Sequence, residues 1–311
     1  MKYISELKEG DHISDIYLCK SRNSAVTRNG KPYDNVILLD KTGSIDAKVW
    51  EPNSAGIDDY DPLDYIEVNG DVTTFNGALQ VNLKRIRKCR EGEYDPADYM
   101  PVTPYNVDDM WSELLGLIES VGEPHLKQLL EHFFLDEAFA KNFKQSSAAK
   151  SIHHSFSGGL LQHTLGVARI CDFLASKYDR LNRDLLITAA ICHDIGKIRE
   201  LSLYPQNDYT DAGQFLGHIV IGVEMIGEAV RGIDGFPVAL EQELKHCILA
   251  HHGEYEFGSP KKPAIIEAVA LNYADNTDAK LEAFTELLEG SNETGWMGFS
   301  RIFDSNIRRT E

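Results

Sequence analysis

Residues 188–201 read TAAICHDIGKIREL. An apolar run leads to an imidazole and a carboxylate, His193 and Asp194, and continues through Gly196 to Lys197. Burying either polar group without a partner is costly. The compensation has to come from elsewhere in the chain.

From about residue 107 onward the apolar residues recur with a helical period. VDDMWSELLGLIESV (107–121) places Met110, Leu114, Leu117 and Val121 on one face, with acidic residues near its start. LLQHTLGVARICDFLASKY (160–178) sets Leu160, His163, Val167, Ile170 and Leu174 on one stripe. Further helices are predicted over 183–197, 216–230, 241–253 and 263–289. Residues 107–311 are therefore expected to form an all-α domain.

Polar residues recur on these helices in a fixed order. His163 lies on its apolar stripe, His193 and Asp194 end the next helix, and His218 lies near the start of a third. His251 and His252 end a fourth, just before Gly253, and Asp275 sits within a fifth, in NYADNTD. Any one of them alone reads as a hydrogen-bonded core histidine or a capping aspartate. Independent burial of the whole set would need many separate compensations, whereas one shared metal centre satisfies them together. Imidazole and carboxylate donors without thiolate suit Mn, Fe, Co, Ni, Zn or Mg and leave positions open for water and substrate.

Residues 1–95 have a different period. NVILLD (35–40) and SIDAKVW (44–50) flank a short turn, and 64–86 alternates in two runs around Asn76-Gly77. Short strands with Gly turns at this spacing predict a small closed barrel. Residues 91–106, EGEYDPADYMPVTPYN, hold three prolines and no periodicity, and a linker is placed at 96–106. The architecture expected is multidomain α and β, an N-terminal barrel followed by an all-α domain.

The 311 residues carry a net charge of −18, which taken alone argues against a general nucleic-acid coat protein. The charge is uneven. Residues 1–95 hold 13 basic and 17 acidic residues, net −4, while 96–311 hold 18 and 32, net −14. The basic run KRIRKCR (84–90) falls in the first part, where a solvated strand end is the plain explanation. No membrane span is expected from hydropathy. The N-terminus does not read as a signal peptide, and the five scattered cysteines (19, 89, 171, 192, 247) fit reduced thiols, so a cytoplasmic protein is expected.

The order H…HD…H…HH…D on helices, with GGLLQHT and HDIGK around the first members, resembles the HD-domain phosphohydrolase superfamily over roughly residues 150–290. That resemblance implies a pair of divalent ions. His163, His193, Asp194 and Asp275 would hold one, and Asp194 would bridge to a second held by His218 and one or both of His251 and His252. Mn2+ is the first choice, with Co2+, Fe2+, Ni2+, Zn2+ and Mg2+ as alternatives. Asp194 and Lys197 are the catalytic candidates. Lys197 would contact a phosphate or the leaving oxygen, against the alternative of a solvated lysine near a helix end.

NVILLDKTGSIDAKVWE and GDVTTFNGALQVNLKRI resemble an OB-fold of the single-strand-binding type. In that fold aromatic side chains stack bases and basic residues follow the backbone. Tyr33, Trp50 and Phe75 are the stacking candidates, with Arg28, Lys31, Lys48, Lys84 and Arg85 as the basic ones. Barrel core is the competing role for Trp50 and Phe75. The whole arrangement, including AAKSIHHSFSGGLLQHT with His153 and His154, is similar to the YhaM-type 3′-to-5′ exoribonucleases. The resemblance implies an exonuclease acting on single-stranded RNA, with single-stranded DNA and a homo-oligomer left open. Two rivals are an HD phosphohydrolase of small nucleotides with a regulatory OB-fold, and a non-catalytic single-strand-binding, replication-associated protein.

Overall fold

The structure, a computed structural model, describes all residues except 28, 76, 96–97, 101, 151–155, 290–293, 301 and 311. The chain divides into two compact units, residues 1–104 with 203–207, and the remainder.

The first unit is a closed five-stranded barrel built from β1 (His12–Val26), β2 (Pro32–Asp40), β3 (Gly43–Val49), β4 (Tyr65–Phe75) and β5 (Ala78–Lys88). The strands run in the order β1-β2-β3-β5-β4, and β4 pairs back on β1. Every pairing is antiparallel except β3 with β5. This is the OB-fold arrangement that the sequence resembles. Alternation places Val36, Leu38, Ala47, Val49, Ile66, Val68, Val81 and Leu83 inside. A bulge on β5 leaves Lys84 unpaired between the Asn69–Arg85 and Gly70–Leu83 pairs, so Lys84 and Arg85 both point outward.

The stretch expected to be a linker is partly docked. Tyr99 is buried on Leu18 and Leu39, Tyr94 stacks on Tyr65 with centroids 3.6 Å apart, and Asp98 accepts from Tyr3 and Lys41, each at 2.9 Å. The aromatic residues of an apparently aperiodic segment found apolar surface on the barrel's outside.

The second unit holds α1 (Val107–Glu119), α2 (Pro124–Phe134), α3 (Glu137–Gln145), α4 (Gly159–Lys177), α5 (Arg183–Cys192), α6 (Lys197–Glu200), α7 (Asp211–Val230), α8 (Val238–Ala250) and α9 (Ile266–Glu289). Helix starts are capped by side chains: Asn106 accepts from Asp108 and Asp109, and Asn182 from Leu185. Helix α5 is buried from Leu185 to Cys192 without a break and packs on α2, α4, α8 and α9. It is the central helix, covered on every face, so no single stripe marks it. The helical expectation fails at the C-terminus, where β6 (Trp296–Ser300) and β7 (Ser305–Arg308) form a two-stranded hairpin. There Gly298 and Asp304 adopt positive φ, and the two strands are too short for their period to register against the long helix before them. Among the described residues, no helix is long and apolar enough to cross a membrane.

Candidate metal centre and nucleic-acid interface

Helix α5 ends at Cys192, with His193 as its C-cap and Asp194 in the following turn. Gly196 explains the tightness of that turn. A Cβ there would lie 2.0 Å from the His218 carbonyl oxygen and 2.8 Å from the Gly222 nitrogen. Only glycine lets α7 come this close, and that approach brings His218 to Asp194. Helix α4 supplies His163, the end of α8 supplies His251 and His252, and α9 supplies Asp275. Gly166, one turn after His163, makes room for an α9 carboxylate, because a Cβ there would sit 2.0 Å from Asp278 Oδ1.

The donor atoms form two groups around one carboxylate. His163 Nε2 lies 3.1 Å from Asp275 Oδ1 and 3.2 Å from His193 Nε2, and these three residues form the first group. His218, His251 and His252 form the second. Asp194 stands between them. Its Oδ2 is 3.3 Å from His193 Nε2 and 3.6 Å from His163 Nε2, and its Oδ1 is 3.5 Å from His218 Nε2 and 3.9 Å from His251 Nε2. Donors about 2.1 Å from a common ion stand about 3.0 Å apart at right angles and about 3.4 Å apart in a tetrahedron. The spacing found here is close to that of donors sharing an ion.

Two further observations fit a cation. Asp194 Oδ1, His218 Nε2 and His251 Nε2 are buried and have no hydrogen-bond partner. Leaving such atoms unsatisfied costs about 1–3 kcal/mol each, and a metal ion would offset that cost. All five imidazoles are also held from behind through Nδ1, leaving Nε2 facing the centre. His193 meets the Ala190 carbonyl at 2.7 Å, His251 that of Ile248 at 2.7 Å, and His252 that of Phe257 at 2.9 Å. His163 meets Asp278 at 2.7 Å, and His218 meets Glu200 at 3.1 Å. Anchoring of this kind fixes both ring orientation and tautomer in metal sites. The residues present therefore fit a pair of divalent ions.

Electrostatics separates the two groups. Burial alone would raise the Asp194 carboxyl, but Lys197, His193 and His218 hold it well below the usual range. Burial pushes His251 well below the ordinary imidazole value, with His252 and His193 adding to the shift. His252 is lowered by burial first and His218 second. Burial also opposes charge on His163, yet Asp275 and Asp278 outweigh it and raise that imidazole to about 10. Lys197 Nζ lies 2.6 Å from Asp194 Oδ2, and this partner outweighs burial and raises the ammonium's pKa.

All seven ligand candidates come together, and both His251 and His252 belong to the second group. Lys197 lines the adjoining pocket with Asp194, so it is not a solvated surface lysine. Asp278 and Glu200 were not singled out from sequence. Asp278 follows Asp275 by three residues and Glu200 follows Lys197 by three, so each shares a helix face with a site residue. That spacing was the available signal. His153 and His154 lie outside the described residues.

On the barrel, Trp50 and Phe75 are exposed and do not fill the core. Tyr33 and Trp50 stack with centroids 5.3 Å apart and 29° between planes. Trp50 Nε1 donates to Asn82 at 3.0 Å, and Lys48 donates to Asn35 with its ammonium 5.7 Å above the Tyr33 ring. Lys31 is exposed where β1 turns into β2, and Phe75 ends β4 at the β4–β5 hairpin. The β2–β3 face and these two loops are where OB-folds hold oligonucleotides. Lys84 is paired with Asp71, and Arg85 lies past the bulge in a depression with Gly56, Glu67 and Asn69. Arg28 lies outside the described residues.

The HD domain family matches residues 160–280, which span every member of both donor groups. A 3′-5′ exoribonuclease YhaM from Geobacillus sp. (strain WCH70) is 34% identical over 291 residues, covering 93% of this chain and 88% of that protein. The chain belongs to the YhaM exoribonuclease family. Membership places it among the hydrolytic nucleases rather than the non-catalytic binding proteins. Among solved structures, a replication protein A heterotrimer bound to single-stranded DNA aligns at 15% identity over 29% of this chain and 65% of its own, with a TM-score of 0.22. The second OB-fold domain of replication protein A from Methanococcus maripaludis aligns at 21% identity over 30% of this chain and 97% of its own, also at 0.22. Scores this low support no argument about function.

Proposed function

We propose that the protein is a metal-dependent exonuclease that shortens single-stranded RNA from its 3′ end. The observation that carries this reading is the Asp194 carboxylate, which turns one oxygen to each of two histidine groups. His163, His193, Asp275 and Asp194 would hold one divalent ion, and His218, His251, His252 and Asp194 the other. When bound, such a pair supplies activation of a water molecule and neutralisation of phosphoryl charge. The pocket beside the centre has a volume of about 330 Å³ and is lined by Lys197, His252, Phe257, Asn272, Asn276 and Lys280. That is within the range of small-ligand sites and is enough for a strand end. Lys197 stays charged at neutral pH, so it serves as a fixed positive charge that orients Asp194 and not as a base. The exposed Tyr33–Trp50 pair, with Lys31 and Lys48, would grip the strand by stacking and backbone contact. Mn2+ remains the first candidate ion, because imidazole–carboxylate donor sets without thiolate suit it.

The test is degradation of a 5′-labelled single-stranded oligoribonucleotide by the full chain, with Mn2+, Mg2+, Co2+ and Zn2+ in turn, beside a free nucleotide and an oligodeoxyribonucleotide. The expected result is a metal-dependent ladder of 5′-labelled fragments shortened from the 3′ end. Turnover of the free nucleotide alone would transfer the assignment to a small-nucleotide phosphohydrolase.

A further inference from the structure

The pocket beside the donor groups has one wall the chemistry at the centre does not use. The chain after His252 makes a single 3-10 turn, Tyr255–Phe257, and the Phe257 carbonyl accepts from His252 Nδ1 at 2.9 Å. The backbone of Phe257 is thus tied to the centre, while its ring lines the pocket and remains 68% exposed. The backbone is fixed and the ring is left bare, so the ring is available to stack against a ligand. From α9, Lys280 lines the same pocket and has no hydrogen-bond or ion-pair partner among the described residues. Lys280 is exposed, so its ammonium is available to meet an anion entering this pocket.

We propose that Phe257 stacks the base of the strand's terminal nucleotide, and that Lys280 takes the next phosphate along the strand. The arrangement rests on the exonuclease reading and gives that site its subsite for the departing nucleotide. Stacking is tolerant of base identity because every base presents a π-face. The subsite would therefore accept any of the four nucleotides, as removal of successive residues requires. It also explains why the ring stands beside the centre and not on the barrel: it positions the last phosphodiester, whereas the barrel face holds more distant nucleotides.

The experiment crosses protein variants with substrates. The full-length protein, Phe257→Ala, Phe257→Tyr and Lys280→Ala are assayed on a single-stranded oligoribonucleotide with an intact or an abasic 3′-terminal nucleotide. Phe257→Ala should raise KM about five- to 150-fold on the intact substrate, the range expected for one lost stacking contact, with a smaller change in kcat. Phe257→Tyr should restore it. The wild type should lose a similar factor on the abasic end, and Phe257→Ala should lose almost nothing further there. Lys280→Ala should raise KM and flatten its salt dependence. If the losses from Phe257→Ala and the abasic end simply multiply, the ring does not stack that base and the inference falls alone. If the wild type turns over no intact oligonucleotide, the functional reading falls and takes the inference with it.

Discussion

The metal centre and the barrel face both bring sequence-distant side chains together, but they do so in opposite ways. At the centre the imidazoles are buried or half-buried beside packed helices, and each is held by a bond from behind to Nδ1. On the barrel, Trp50 and Phe75 are exposed, and Trp50 is steadied by one bond to Asn82 and one stacking partner. A site that must position reacting groups within fractions of an ångström needs the first arrangement. A surface that must accept any base in a moving strand is served by the second. The centre should therefore fail abruptly on mutation, while the face should weaken by degrees.

The largest effect is expected at Asp194. Asp194→Ala removes the carboxylate that meets both histidine groups, so turnover should drop by more than about a thousandfold, as when groups act as one unit. A fold check by circular dichroism should show the helices intact. Near-native turnover in that variant would break the comparison at its strongest point.

Gly196→Ala should act through packing. The added methyl group meets the His218 carbonyl, and α7 must shift outward. Overpacking of this kind costs about 1–3 kcal/mol or more, so the melting temperature should fall by several degrees and metal content should fall with it. An unchanged melting curve would mean that the close approach of α7 does not constrain the site.

Glu200→Gln and Asp278→Asn probe the bonds from behind. Each should weaken metal binding by about ten- to a hundredfold, measured by titration of the metal-free protein. Asp278→Asn should also change the pH dependence. In the metal-free chain His163 is raised to about 10, so it carries a proton at neutral pH that an ion must displace. Wild-type affinity should therefore climb as pH rises toward 10. Losing Asp278, one of the two carboxylates that raise His163, should make that climb level off at a lower pH. An identical pH profile would show that Asp278 does not govern the protonation of His163.

Trp50→Ala should give the smallest change. Loss of one stacking contact weakens oligonucleotide binding by about 1–3 kcal/mol, with metal content unchanged. A variant that binds long strands as tightly as the wild type would remove the barrel face from the substrate path.

The same contrast decided what could be read from the sequence. His163, His193, Asp194, His218, His251, His252 and Asp275 stood out because ionisable residues on apolar helical surface are rare and their order was informative. Strand parity could not say whether Trp50 and Phe75 point in or out, because they sit at strand ends where alternation is not constrained by neighbours on both sides. Lys84 and Arg85 read alike as basic candidates, but the structure pairs Lys84 with Asp71 and sets Arg85 in a depression with Glu67 and Asn69. Glu200 and Asp278 were hidden because acidic residues on helices are usually solvated, and only the fold shows which histidine they reach. Tyr94 and Tyr99 were hidden in the same way, in a proline-rich segment whose aromatic residues dock on the barrel.

The central claim is that one carboxylate joins two ion sites, and the direct test is metal stoichiometry against activity. Metal-free full-length protein is titrated with Mn2+ while bound metal and oligoribonucleotide turnover are measured on the same samples. The account predicts two ions per chain, with turnover appearing as the second site fills. Full turnover at one ion per chain, or turnover undiminished after metal removal, would contradict it.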